Sequence, residues 1–196
     1  MIMNIINFNI IEKMKTSFVF LADGFEEVEA LTSVDVMRRA GMPVVTVSIN
    51  DDLVVTGAHG VQVVADSLYS DNDYSGAEWL VLPGGMPGAT NLASHEDLCR
   101  QLVSQDECGG RVAAICASPS VVLAQLGILN GRTAVCYPGM EADVEGVKWG
   151  DSAVAVDDNI VTGNGPAAAA PFALQLVALS CGAEVADQVA AGMLLS

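Results

Sequence analysis

The chain has 196 residues, 52% of them hydrophobic, and a formal net charge of −16. A chain of this length can build one sizeable core but is short for two, so we expect a single domain. The strong negative charge repels phosphate backbones and anionic membranes, which argues against direct nucleic-acid binding and membrane attachment. The five cysteines form no CxxC or CxxH cluster. We therefore expect no disulfide framework and no metal site, and a cytoplasmic location.

The N-terminal segment MIMNIINFNIIEK requires a separate interpretation. Its lysine follows the apolar part and no small-residue cleavage site comes after it, so it is a poor signal peptide. Its apolar run is interrupted by asparagines and is too short to span a bilayer. The sequence MKTSFVFLADG, which begins at Met14, resembles an ordinary protein start. We interpret residues 1–13 as a dispensable extension and expect residues 14–196 to form the single domain.

Strands and helices alternate along the rest of the chain. SFVFLA predicts a buried strand, residues 26–40 a helix stopped by Gly41, and PVVTVSI a second strand. LVVTG and VQVVA predict a hairpin around GAHG, EWLVLPGG another buried strand, and HEDLCRQLVSQDECGG an amphipathic helix. RVAAIC predicts a strand before the helix PSVVLAQLG, and AVAVDDNIVTG predicts a hairpin. PAAAAPFALQLVALSCG and the residues after it predict helices.

The central strands are apolar throughout, which is typical of parallel strands covered by helices on both faces. The sequence therefore predicts one doubly wound α/β sandwich with a mostly parallel central sheet. In such sheets, ligands bind beyond the carboxyl ends of the strands. LPGG and AICAS both lie at such ends.

Two glycine-rich motifs argue against a nucleotide cofactor. GNGPAA matches the G-x-G-x-x-A fingerprint, but no second strand is predicted after its helix. We interpret it as a glycine turn with Pro166 at the first helical position. LPGGMPGA lacks the Lys-Ser/Thr pair of a phosphate-binding loop. Its glycine amides could instead approach a ligand closely and donate hydrogen bonds to an oxyanion. We expect no cofactor.

Cys116 lies where a predicted strand meets a predicted helix. Ser118 and Pro119 suit the N-cap and first position of that helix, whose free amides and partial positive charge would stabilise a thiolate. We therefore predict a reactive Cys116 whose pKa lies below the ordinary value of about 8.5. The alternative is a cysteine that serves only in packing.

The acid and base partners of Cys116 stay open at this point. Glu26, Glu27 and Glu29 fall in the first turn of the first helix, where acids favour the helix dipole. One of them could instead be buried, stay protonated and donate a hydrogen bond to the thiolate. The apolar stripe of Ala30, Leu31, Val34 and Met37 does not select Glu29. His59 could lean over a pocket, whereas His95 is expected to begin a solvent-facing helix.

LADGFEEVEALTSVDVMRRAG, VLPGGMPGATNL and AAICASPSVVLAQLG resemble the ThiJ/PfpI superfamily, in the branch of the parkinsonism-associated protein deglycase and YajL. The resemblance extends from Met14 nearly to the C-terminus. It implies a flavodoxin-like sandwich, usually a homodimer, with a reactive cysteine at a nucleophile elbow. Cys116 takes the position of that cysteine and Glu29 that of the acid bonded to it. Gly85 and Ala117 match the backbone donors that face the sulfur.

The resemblance also has departures that bear on function. Ala117 stands where peptidase members carry a histidine, which argues against a protease. Tyr137 replaces a histidine that the deglycase branch often has near the site, and a phenol is a poor base at neutral pH. Asn164 replaces an arginine of some relatives, which weakens an anion pocket.

Two functions are implied by the resemblance. The first is a cofactor-free glyoxalase or deglycase that acts on reactive dicarbonyls or early glycation adducts through Cys116. In it, Glu29 is kept protonated by burial, so that Glu29→Leu should raise the pKa of the thiol. The alternative is an oxidative-stress sensor or chaperone in which Cys116 is oxidised.

Overall fold

A seven-stranded sheet lies at the centre of the computed structural model, which describes residues 14–141 and 146–195. Its strand order is β10-β11-β7-β6-β1-β2-β5, and only the edge pair β10–β11 is antiparallel. The strands β3–β4 and β8–β9 form two small separate sheets. The strand bounds are β1 (Ser17–Leu21), β2 (Val44–Ser48), β3 (Val54–Thr56), β4 (Gln62–Val64), β5 (Ser67–Leu68), β6 (Trp79–Leu82), β7 (Arg111–Ile115), β8 (Thr133–Ala134), β9 (Lys148–Trp149), β10 (Val154–Asp157) and β11 (Ile160–Gly163).

Helices cover both faces of this sheet, as predicted. Side chains alternate between the faces along β1, so that Val19 joins one buried cluster and Phe20 the other. The first cluster includes residues of α1 and α4, and the second includes residues of α2, α3 and a short π-helix. The bounds are α1 (Glu27–Arg39), α2 (Gly88–Ser94), α3 (Glu96–Glu107), the π-helix (Pro119–Ala124), α4 (Ala169–Cys181) and α5 (Ala183–Gly192), with 3₁₀ turns at Tyr69–Asp71 and Pro166–Ala168. The fold is the predicted flavodoxin-like sandwich.

The structure corrects two local predictions. Leu31 was predicted to face the core, but it is 40% exposed, whereas Glu29 and Ser33 are buried. The segment after Cys116 was predicted to be an ordinary helix capped by Ser118, but it forms a π-helix. The Ser118 hydroxyl donates to the Pro83 carbonyl at 2.5 Å and caps nothing. Glu29 and Ser118 both form hydrogen bonds with the segment after β6, at Gly84 and Pro83. A local sequence pattern does not contain such contacts.

The glycine motif at residues 163–168 forms a turn, as predicted. Pro166 begins a 3₁₀ turn that leads into α4, and α5 follows α4 directly. In the described part of the chain no strand comes after α4, so the dinucleotide fingerprint lacks its second strand. The predicted extension, residues 1–13, lies outside the described residues. Among the helices of the described ranges, none has the length and apolar content needed to cross a membrane.

Candidate active site

The carboxyl ends of four neighbouring strands meet at one edge of the sheet. β1, β6, β7 and β11 are adjacent in the sheet order and, paired in parallel, end on the same side. The segments that follow them are residues 22–26, residues 83–88, Cys116 and residues 164–165. This edge therefore brings together side chains and amides that are far apart in the sequence.

Cys116 lies on a strained turn directly after β7. Its φ of 64° is in the left-handed region, which non-glycine residues adopt rarely and often at functional sites. Hydrogen bonds on both sides fix this conformation: the Cys116 N–H donates to the Gly163 carbonyl at 2.9 Å, and its carbonyl accepts from the Tyr137 N–H at 2.8 Å. The residue is 8% exposed. The predicted elbow is therefore formed, with its sulfur at the edge of the core.

Glu29 is the glutamate that meets the sulfur. It is fully buried, and its carboxyl group forms a side-chain hydrogen bond with Cys116. The Gly84 N–H donates to Oε2 at 2.8 Å. Within the described residues, Oε1 has no hydrogen-bond partner. An ionised carboxylate would leave this oxygen charged and unsatisfied, whereas a protonated carboxyl group has an O–H to donate to the sulfur.

Two backbone amides from different segments act as hydrogen-bond donors to the Cys116 sulfur. They belong to Gly85, after β6, and Ala117, after Cys116. Gly85 has a φ of 89°, and a Cβ on it would lie 2.4 Å from the Glu26 nitrogen and 2.5 Å from the Gly24 oxygen. Only glycine fits there. The two donors that the resemblance named are thus placed where they could hold an anion.

Burial governs the protonation of the pair. Desolvation raises the pKa of Glu29 from 4.5 to about 7, against the lowering effect of the hydrogen bonds from Gly84 and Cys116. Burial and the Glu29 charge raise the pKa of the Cys116 thiol to about 12, and the amides of Gly85 and Ala117 lower it. Since the Glu29 charge contributes to that rise, the pKa of about 12 describes the Cys116 thiol beside an ionised Glu29 carboxylate. Over the intervening pH range the pair holds one proton and one negative charge.

This result corrects the prediction that Cys116 is acidic by itself. The prediction considered the helix terminus but not the burial of the thiol or the carboxyl group beside it. Two buried anions in contact repel each other, so the sulfur is a thiolate at neutral pH only while Glu29 keeps its proton. The charge on the sulfur is therefore a property of the pair, and replacement of Glu29 changes both a carboxyl proton and a charge.

The other predicted site residues lie around this centre. Tyr137 is 47% exposed and packs beside Gly165, where a Cβ would lie 3.3 Å from its ring. Asn164 donates its N–H to the Ala153 carbonyl. His59 contacts Glu27 rather than the sulfur, and His95 caps α3 by accepting from the Leu98 N–H.

Gly84 is a site residue that the sequence analysis missed. A Cβ there would lie 2.5 Å from the Cys116 Cβ, 2.8 Å from Glu29 Oε2 and 3.0 Å from the Cys116 Sγ. The first glycine of LPGG therefore lets the two side chains meet and also donates to one of them. The signal was present, because two glycines in succession at a strand end indicate a close approach of the backbone.

Gly84→Ala should damage the site more than the fold. The methyl group would push Cys116 and Glu29 apart, and overpacking of this kind typically costs about 1–3 kcal/mol. We expect destabilisation in urea unfolding and a fall of iodoacetamide alkylation at Cys116 to less than a tenth of the parent rate. Gly192→Ala is the matched control, because nothing lies within 4 Å of its Cβ. Alkylation at the parent rate in Gly84→Ala would contradict the contact.

The raised pKa of Glu29 predicts a pH-dependent stability. The unfolded protein loses this proton near pH 4.5 and the folded protein near pH 7. The stabilising contribution is therefore complete below about pH 4.5 and is lost as the pH rises through 7, whichever atom of the pair releases the proton. Relative to Glu29→Gln, the wild-type protein should lose up to about 3 kcal/mol across this range. Urea unfolding of both proteins at pH 4.5 and pH 8 measures this, and equal changes in both would contradict it.

A parallel α/β sandwich with a cysteine on a strained elbow and a buried glutamate bonded to it defines a class of proteins. In this chain the elbow follows a central strand of a flavodoxin-like fold, and backbone donors come from two loops. Residues 15–179 match the DJ-1/PfpI family, and the chain belongs to that family.

Three named proteins are similar to this chain in sequence. Protein DJ-1 homolog A of Arabidopsis thaliana is 35% identical over 92% of this chain and 47% of its own length, so the chain spans about half of that relative. The Parkinson disease protein 7 homolog of Danio rerio is 37% identical over 92% of this chain and 97% of its own. The glutathione-independent glyoxalase DJR-1.2 of Caenorhabditis elegans is 33% identical over 78% of this chain and 81% of its own length.

Solved structures agree with this assignment. The oxidised DJ-1 of Toxoplasma gondii has a TM-score of 0.87 and 38% identity, over 93% of this chain and 99% of that chain. The DJ-1beta of Drosophila melanogaster has a TM-score of 0.89 and 34% identity, over 93% of this chain and 99% of that chain. The predicted superfamily and fold are confirmed.

Proposed function

We propose that this protein is a cysteine-dependent, cofactor-free enzyme of glyoxalase or deglycase type, acting on reactive dicarbonyls or their early glycation adducts. Cys116 is the nucleophile, Glu29 the proton donor and acceptor, and the amides of Gly85 and Ala117 the oxyanion donors. The similarity to a glyoxalase of Caenorhabditis elegans supports this assignment. The observation that carries it is the buried Glu29–Cys116 pair with two amides aimed at the sulfur.

The proposed reaction of a 2-oxoaldehyde begins with the pair in its thiolate form. Cys116 attacks the aldehyde carbon, and the carbonyl oxygen takes up the Glu29 proton to give a hemithioacetal. Glu29, now ionised, removes the proton from the former aldehyde carbon to give an enediolate. The hydroxyl proton of the hemithioacetal passes to the neighbouring oxygen, and Glu29 returns its proton to the adjacent carbon, which gives a 2-hydroxy thioester. Water hydrolyses the thioester to the 2-hydroxy acid and regenerates Cys116. The sum is one dicarbonyl and one water to one hydroxy acid, without net oxidation.

The oxyanion donors explain why the reaction needs this backbone. Negative charge moves from the sulfur onto the substrate oxygen as the bond forms, and amides held in place before the reaction stabilise it without reorganisation. Tyr137 is half-exposed at the same edge, and its phenol could donate a further hydrogen bond to the substrate. It does not supply the base that a histidine would, which leaves Glu29 as the proton carrier.

The experiment is direct detection of the product. Methylglyoxal incubated with the protein, without glutathione or metal, should yield lactate, and the Cys116→Ala protein should not. Glycated peptides in the same assay show whether free dicarbonyls or their adducts are preferred. Absence of lactate and of adduct repair from a folded, fully reduced protein would refute the enzyme hypothesis.

Oxidation of Cys116 is the second candidate function. The relative from Toxoplasma gondii is described as oxidised, and a buried sulfur beside two amide donors would also stabilise a sulfinate. In this hypothesis peroxide oxidises Cys116 stepwise to sulfinic acid, and each step transfers one oxygen atom and releases water. Selective oxidation of Cys116 at low peroxide without any turnover of dicarbonyls would favour the sensor over the enzyme.

Free cysteines favour a cytoplasmic location, which we propose for this protein. All five cysteines, which lie within the described residues, are free, as is usual in a reducing cytoplasm.

Exposed apolar residues occur on α1 and on the β3–β4 hairpin, namely Val28, Leu31, Val61 and Val64. The hairpin is joined to the start of α1, where the Ala58 N–H donates to the Phe25 carbonyl at 2.8 Å. We propose that these surfaces meet in a homodimer.

A further inference from the structure

We propose that Glu26, Glu27 and His59 form a binding site for a divalent transition-metal ion such as Zn²⁺, separate from the Cys116 site. One ligand atom from each residue lies within 4.8 Å of the other two. The cluster joins the start of α1 to the turn between β3 and β4. It rests on its own geometry and does not depend on the proposed catalytic function.

The distances between the ligand atoms suit a small metal ion. His59 Nδ1 lies 2.8 Å from Glu27 Oε2 and 3.6 Å from Glu26 Oε2. Ligand atoms bound to Zn²⁺ at about 2.0–2.1 Å in a tetrahedron are roughly 3.3 Å apart. The two distances from the imidazole nitrogen therefore lie within about half an ångström of the spacing that a tetrahedral zinc ion requires.

The site is built into the backbone rather than assembled from free surface side chains. Glu27 Oε1 accepts the His59 N–H at 2.8 Å, which fixes the carboxylate beside the turn. A Cβ on Gly57 would lie 2.3 Å from that oxygen, so a glycine makes room for it. The His59 side chain is 71% exposed in the single chain, so the cluster lies at the surface, beside the apolar residues proposed to meet in the dimer.

The two carboxylates need a cation that the protein itself does not supply. Their side chains are only 13% and 10% exposed, and in the described part of the chain neither forms an ion pair with lysine or arginine. Buried carboxylates are usually paired or bind metals. His59 can contribute at most one positive charge, which leaves one negative charge uncompensated. A dication would neutralise it, and the net charge of −16 adds a general attraction.

The donor set selects the kind of metal. Ca²⁺ and Mg²⁺ prefer sites made entirely of oxygen, whereas an imidazole nitrogen with two carboxylates suits Zn²⁺ and other first-row ions. No sequence pattern indicates this site, because His59 is 32 residues from Glu27 and no spacing motif connects them. Only the packing of the hairpin against α1 brings the three together.

Titration of the reduced full chain with ZnCl₂ against a chromophoric chelator tests the proposal. We expect one equivalent to bind, with His59→Gln and Glu27→Gln each weakening binding at least about tenfold. His95→Gln changes the other histidine, and Cys116→Ala removes the sulfur that could bind zinc instead; both should bind like the parent. Circular dichroism establishes that each variant is folded.

Three outcomes would overturn the metal site. They are no saturable binding of zinc, binding that His59→Gln leaves unchanged, and binding that is lost in Cys116→Ala. His59→Gln decides the matter if Glu27→Gln fails to fold, because the exposed His59 side chain packs against little. Activity is not part of the readout, so the result is independent of the fate of the proposed reaction.

Discussion

Cys116→Ala is expected to reduce turnover of methylglyoxal to the background rate, a loss of at least about 10³-fold. The substitution removes the atom that bonds to the substrate, while alanine occupies the same backbone conformation. Global stability should therefore change little. The measurement is lactate formation at saturating substrate, with far-ultraviolet circular dichroism to verify the fold.

Cys136→Ala is the matched control for this loss. Cys136 is buried to a similar extent, at 6% exposed, and its thiol donates to the Tyr137 carbonyl at 3.6 Å. It has no assigned contact with Glu29 or with the oxyanion donors. Turnover in Cys136→Ala should stay within a few-fold of the parent. If Cys136→Ala is inactive and Cys116→Ala is active, the nucleophile has been assigned to the wrong cysteine.

Glu29→Gln should separate proton transfer from nucleophilicity. Glutamine can still accept from the Gly84 N–H and donate to the sulfur, so it preserves the hydrogen bonds and removes the competing charge. It cannot exchange a proton with the substrate. We expect turnover to fall about 10²–10⁴-fold, the usual contribution of a general acid–base residue. Alkylation of Cys116 by iodoacetamide should persist within a few-fold of the parent.

The control for Glu29→Gln is Asp35→Asn, which neutralises an exposed carboxylate on the same helix that pairs with Arg39. It should leave both turnover and alkylation unchanged. Parallel losses of turnover and alkylation in Glu29→Gln would show that Glu29 only positions or ionises the sulfur. Its role in proton transfer would then be withdrawn.

The fold was largely predictable because its information is local. Short apolar runs ending in glycine or Asp-Gly, alternating with periodic helical segments, predict a parallel sheet with helices on both faces. The short helix α2 was missed because GATNLAS has little apolar periodicity and follows directly from the glycine loop. The π-helix was not predicted either. The Ser118 hydroxyl, which was expected to cap an ordinary helix, instead donates to the Pro83 carbonyl in the segment after β6.

The site was predictable only in part. Cys116 was indicated by its position at a strand-to-helix junction, which local sequence reveals. Glu29 was named by the family resemblance but not by helical periodicity, because Leu31 shifted the apparent apolar face of α1 away from it. In the structure Leu31 is exposed while Glu29 packs against Gly84 from another strand end. The burial that sets the protonation of the pair is likewise a tertiary property, so the sequence alone does not show which of the two side chains carries the charge.

Ultraviolet titration of the Cys116 thiolate tests the central claim most directly, namely that Cys116 carries the charge of the pair while Glu29 keeps the proton. The protein for this measurement has its other four cysteines replaced by alanine, so that absorbance near 240 nm reports Cys116 alone. The account predicts a thiolate step below the ordinary thiol pKa of about 8.5, which moves to higher pH in Glu29→Leu because the donor is lost. Absence of a thiolate until near pH 12 in the parent, with a step at lower pH in Glu29→Leu, would contradict it. The charge would then reside on Glu29, and Cys116 would be an inert thiol at neutral pH.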